Sequence, residues 1–152
     1  MKKAIIVLMG TLFIVNGYAQ KKTSNKAEIF PKGETITNNN FTGTAFLKML
    51  VNADSLNTTT VGNVSFKPKA RTNWHLHPGG QILLVTDGIG YYQERGQPKK
   101  ILHKGDVIKC QPNVEHWHGA SAESHLVHLA ISDNDNGAVV WLKPVSDEEY
   151  YK

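Results

Sequence analysis

The stretch Arg71-Thr72-Asn73-Trp74-His75-Leu76-His77-Pro78-Gly79-Gly80-Gln81 decides how this chain is read. Side chains on a β-strand alternate between its two faces, so His75 and His77 point the same way, roughly 7 Å apart. Pro78-Gly79-Gly80 is a turn, and Gln81 opens the segment after it, where a hairpin can bring it beside the two imidazoles. Farther along, His116 and His118 share one face in the same manner. Two such ribbons facing each other inside a barrel would converge several imidazoles on one point. Imidazole is the commonest protein ligand for mid-row divalent metals, so the His75/His77/Gln81 set is read as metal-binding. His103 and His125 have no such company and are read as ordinary surface or core histidines.

The segments around this stretch predict an all-β domain. Phe41–Val51 and Thr58–Lys67 are rich in β-formers, and short β-type segments follow with turn signals between them. Trp74–His77 ends at Pro78, Gln81–Thr86 at Asp87-Gly88, and Gly90–Arg95 at Gly96-Gln97-Pro98. Ile101-Leu102, Val107–Cys110, Val114–His118 and His125–Ser132 complete the series, which argues a sandwich or a closed barrel. Ser146-Asp147-Glu148-Glu149 has the pattern of a capping box and predicts one short helix over 146–151.

The first residues read as an export signal. Lys2 and Lys3 precede an apolar run from Ala4 to Val15, and Gly17 and Ala19 are the small residues a signal peptidase inspects. Cleavage is expected after Ala19, and the run is well short of the roughly 20 residues that span a bilayer. Residues 20–40 are polar and read as a flexible N-terminal arm, with order expected from Phe41. Removing the leader lowers Lys+Arg from 17 to 15 against 13 acids, leaving a formal charge of about +2 rather than +4. The remaining cations form no stripe, which argues against nucleic acid as a partner. Cys110 is the one cysteine; it alternates with Lys109 and reads as a small core residue.

Arg71 to Gln81, continuing to Asp87-Gly88, resembles the first motif of the cupin family. Gly105-Asp106 followed by Pro112-Asn113-Val114-Glu115-His116 resembles the second. The resemblance implies a double-stranded β-helix, a small β-barrel or jelly roll over residues 41–152, with a metal between the two motifs. It gives His75, His77 and His116 as ligands, with Gln81 where most cupins have Glu. Phe41-Thr42-Gly43-Thr44, Ala70 to His77, Glu115 to Ala120 and His128-Leu129-Ala130-Ile131 are similar to the subgroup that contains the bacterial hydroxynitrile lyases. That likeness implies manganese (with iron, nickel, cobalt or zinc as other candidates) and cleavage of cyanohydrins. It places Thr72, His118 and His128 at the pocket, with His128 transferring the proton, and implies a homodimer.

Gln81 in place of Glu leaves the double charge of a divalent cation uncompensated, which suits anionic partners such as an alkoxide. Trp74 and Trp117 flank ligands but alternate away from them, so both are read as packing residues outside the site. Three functions compete. The first is an exported metal-dependent lyase acting on a small carbonyl-derived substrate. The second is an iron-dependent dioxygenase, which would consume oxygen. The third is a non-catalytic periplasmic metal- or ligand-binding protein, which would bind without turnover.

Overall fold

The computed structural model describes residues 28–152; the leader at 1–19 and the first part of the arm lie outside the described residues. Twelve strands follow in chain order: β1 Glu34–Thr35, β2 Phe41–Thr42, β3 Ala45–Val51, β4 Thr59–Phe66, β5 Arg71–Thr72, β6 His75–Leu76, β7 Gln81–Glu94, β8 Lys100–His103, β9 Val107–Cys110, β10 His116–Ala120, β11 Leu126–Asp133 and β12 Val140–Trp141. They are all paired antiparallel, in the order β1-β3-β4-β11-β7-β10-β5-β2, with β8 and β9 on β7 and β6 between β10 and β12. The sheet curls into a barrel whose interior holds an apolar cluster and a set of buried polar side chains. The all-β reading holds.

β7 joins the two halves. Its first half pairs with β11 and β9, and its second half with β10 and β8. Here the structure corrects the sequence reading, which ended a strand at Asp87-Gly88. The segment is one strand of 14 residues. The register slips where Val127 pairs Asp87 but His128 pairs Val85, leaving Thr86 as the extra residue of a bulge. Gly88 sits beside it at φ 80°, and a Cβ there would lie 2.0 Å from the carbonyl oxygen of His125. The bulge bends the strand from one sheet to the other without breaking its ladder.

Two further differences are local. The Phe41–Val51 segment is broken into β2 and β3 at Gly43, which has φ 80°. The ordered sheet begins at Glu34, ahead of Phe41: Glu34 and Thr35 pair with Leu47 and Phe46, and Asn63 Nδ2 donates to the carbonyl of Pro31. Backbone pairing and a buried amide hold this part of the arm despite its polar composition.

The inward residues Ala45, Val64, Phe66, Leu83, Val85, Tyr92, Leu102, Cys110 and Leu126 form the core, so Cys110 is the packing residue expected. A second cluster lies outside the barrel, where Trp74, Trp117 and Val145 pack with Tyr150 of the terminal helix α1, Asp147–Tyr151. Ser146 caps that helix with a full capping box, as its sequence predicts. Tyr150 Oη donates to the carbonyl of Ala120 at 2.8 Å, and buried Arg71 reaches the Val145 carbonyl and Asp147. The helix thus seals the outer side of the strand that carries His116 and His118. No helix among the described residues is long and apolar enough to cross a membrane.

Candidate metal centre and histidine pair

His75 on β6 and His116 on β10 are register partners, with ring centroids 4.3 Å apart. His77 follows β6 at the turn, 5.3 Å from the His75 ring and 5.8 Å from the His116 ring. Its carbonyl accepts from the backbone N–H of Gly80 and of Asn113, which fixes the turn against the second motif. Gln81 opens β7 with Oε1 3.3 Å from His116 Nε2. All four residues are buried. The turn and the antiparallel register bring together the four side chains read as ligands.

The hydrogen bonds decide which atoms face inward. Nδ1–H of His75 donates to the Asn73 carbonyl, and Nδ1–H of His116 donates to the Val114 carbonyl, each at 2.9 Å. A carbonyl only accepts, so in both rings the proton is on Nδ1 and Nε2 carries a lone pair. Gln81 spends its amide N–H on Ser132 Oγ at 3.2 Å, leaving Oε1 toward His116. Two lone-pair atoms, His116 Nε2 and Gln81 Oε1, therefore oppose each other in a buried place, and His77 Nε2 is buried with no hydrogen-bond partner. Such an arrangement is unfavourable by itself and is relieved by a cation. These residues fit a divalent metal.

Electrostatics agree. Burial, then the nearby His116, pushes His75 well below its usual range, and burial, again followed by His116, pushes His77 to about 4. Burial also lowers His116. Neutral imidazole is the form that binds metal, so no proton must be displaced near neutral pH.

His118 and His128 are buried beside this group. His118 is 5.2 Å from the His75 ring, and its Nδ1 is 3.1 Å from His128 Nε2. The Phe66 ring packs on both. Burial holds His118 well below its ordinary range and His128 at about 4. Ring nitrogens of His75, His116 and His118 also lie within 4.8 Å of one another, a three-histidine group with His118 in the place of His77. Thr72 Oγ1 accepts the backbone N–H of His118 at 3.2 Å, which ties β5 to β10 beneath the pair. Trp74 and Trp117 point away from the site, and His103 and His125 are exposed beside Asp106 and Asp87.

Four residues at the site were not singled out from sequence. Ser132 bonds Gln81, and Trp141 covers His75 with ring centroids 4.9 Å apart. Tyr92 packs on the His116 ring at 5.6 Å and donates to Glu94, itself the register partner of His116. Alternation from His128 puts Ser132 on the inward face, so that signal was present. The inward position of Glu94 is hidden unless β7 is read through its bulge. Trp141 sits on a two-residue strand with no pattern to show its direction. A cleft of about 390 Å³ opens beside Gln81, between Gly79-Gly80, Pro112 and Asp133.

Comparison with known proteins adds independent ground. Residues 62–132 match the family described as Cupin domain. The chain is 42% identical over 111 residues to the (R)-mandelonitrile lyase of Granulicella tundricola, covering 72% of this chain and 85% of that protein. It is 50% identical to a cupin-like protein from Thermotoga maritima whose crystal structure superposes with a TM-score of 0.79, over 82% of this chain and 95% of that one. A cupin 2 conserved barrel domain protein from Rhodopseudomonas palustris, 14% identical, shares the fold with a TM-score of 0.61 over 75% and 77% of the two chains.

Proposed function

The chain belongs to the cupin superfamily, among its hydroxynitrile lyase-like members, and from that premise we propose that it is a metal-dependent lyase cleaving a cyanohydrin into a carbonyl compound and hydrogen cyanide. The observation that carries this is the pairing of two devices in one buried site: inward lone pairs on His75, His116 and Gln81, and the His118–His128 contact beside them. A divalent metal held by His75, His77, His116 and Gln81 would supply the positive charge that favours an ionised hydroxyl, with manganese the first candidate.

The chain's own residues do the rest. His128, neutral because it is buried, accepts the hydroxyl proton of the cyanohydrin. The oxygen's electrons form the carbonyl, and the carbon–carbon bond breaks with its electron pair leaving on cyanide. The proton then passes to cyanide, which departs as hydrogen cyanide. Protonated His128 donates across its 3.1 Å contact to His118 Nδ1, which spreads the added charge over two rings. Phe66 and the half-buried pair Phe41–Trp141, 5.6 Å apart, wall the histidines with aromatic surface and keep bulk water from them. The pattern of Lys2, Lys3 and the apolar run after them supports export with cleavage after Ala19. We take the working form to be an exported homodimer.

The test is benzaldehyde release from mandelonitrile by protein loaded with manganese, against the same protein after chelation. Metal-dependent release is expected. No release from protein shown to hold metal would overturn the lyase reading, and oxygen uptake would then point to the dioxygenase instead.

A further inference from the structure

We propose that Ser132 is a positioning residue that decides which end of the Gln81 amide faces the three imidazoles. The proposal rests on the metal reading of that site and adds to it a residue outside the ligand set.

Ser132 on β11 and Gln81 on β7 are register partners, directly opposite on the inward face. Both are buried, at 7% exposure each. Gln81 Nε2 donates to Ser132 Oγ at 3.2 Å, while Oε1 stands 3.3 Å from His116 Nε2. Because the two ends of a primary amide have nearly the same shape, hydrogen bonds rather than packing choose between them. A glutamate at this position would present an oxygen whichever way it turned. Glutamine has one useful end.

The two orientations have different chemistry. With Oε1 inward, a lone pair joins those of the imidazoles and the amide N–H groups need an acceptor elsewhere. With Nε2 inward, an N–H donates to His116 Nε2, so the amide oxygen is turned away from a cation and the His116 lone pair is occupied. The Ser132 hydroxyl both donates and accepts, so it can serve either state. Its removal is not symmetric. Without it the inward-oxygen state strands a buried amide donor and has no hydrogen bond to His116, whereas the reversed state strands only an acceptor and keeps its bond to His116. Ser132 thus makes the ligand-competent orientation of Gln81 affordable, as outer partners of metal ligands do elsewhere.

The experiment titrates Co²⁺ into chelator-treated full-length protein and follows both the dissociation constant and the visible absorption of the bound ion. Ser132→Ala is expected to weaken Co²⁺ by about 10–100-fold and to change its spectrum. Ser132→Thr, which keeps the hydroxyl, is expected to bind within about threefold of wild type. In a Gln81→Ala background, Ser132→Ala is expected to add no further loss. Wild-type affinity in Ser132→Ala would overturn the proposal, and so would an equal loss with and without Gln81. A wild-type protein that took up no Co²⁺ would overturn the metal reading itself, and this proposal with it.

Discussion

His118 Nδ1 and His128 Nε2 stand 3.1 Å apart, on two rings that meet edge to face inside the barrel. Only one proton can occupy that contact, and burial keeps both rings in the neutral form. A second proton arriving from a substrate is then held by the pair rather than by either ring alone. The expectation for His128→Ala is a loss of at least about 100-fold in kcat/KM, the scale of a removed general base, with metal content unchanged. Steady-state rates on mandelonitrile beside metal analysis of the same preparation check it. Surviving activity would remove His128 from the reaction.

The geometry offers two histidine trios, and they are separable. His75 and His116 belong to both, while His77 and His118 are alternatives for the third place. His77 has an unpartnered Nε2, whereas His118 already spends Nδ1 on His128. His75→Ala, His77→Ala and His116→Ala should each lose most bound metal on dialysis, and His118→Ala should retain it. Metal analysis of the four variants decides between the trios. Retention by His77→Ala with loss by His118→Ala would exchange the two roles.

Acid should destabilise the metal-free protein before it protonates ordinary carboxylates. In the folded chain His77 and His128 are held at about 4, whereas in the unfolded chain they return to about 6.5. Between those values the unfolded state binds protons that the folded state refuses, so stability falls as pH drops through that window. Each unit of difference is worth about 1.4 kcal/mol per group, which makes the loss several kcal/mol. Denaturant midpoints from pH 7 to pH 4 measure it. A flat profile over that range would show that the folded histidines titrate near their ordinary values.

The grouping of His75, His77 and Gln81 was legible because its signals are local. Period-two alternation fixes His75 and His77 on one face, and a three-residue turn delivers Gln81 beside them. The His118–His128 contact joins β10 and β11, which are not paired with each other but face across the barrel, and no spacing encodes that approach. The resemblance brought both residues to the pocket, yet their hydrogen bond emerged only from the fold. Asp87-Gly88 misled for a physical reason. Asp-Gly is a strong hairpin signal only when the flanking strands pair with each other. Here both flanks pair with other strands, so the same dipeptide sits at a bulge, and the inward turn of Tyr92 and Glu94 beyond it was lost.

That bulge gives the last prediction. Gly88 combines φ 80° with the carbonyl of His125 where a side chain would begin, 2.0 Å from its Cβ position. Backbone strain in the left-handed region and a collision with main chain cannot both be relieved by a rotamer change. Gly88→Ala should therefore cost at least about 2 kcal/mol. In a domain of this size that lowers Tm by about 6–8 °C. Ala in place of Gly105 is the control: its φ is also positive, at 95°, but nothing stands within 4 Å of its Cβ position. Thermal melts of the two variants separate strain from collision. If both fell equally, the contact with His125 would contribute nothing, and the register of β7 would be held by its pairing alone.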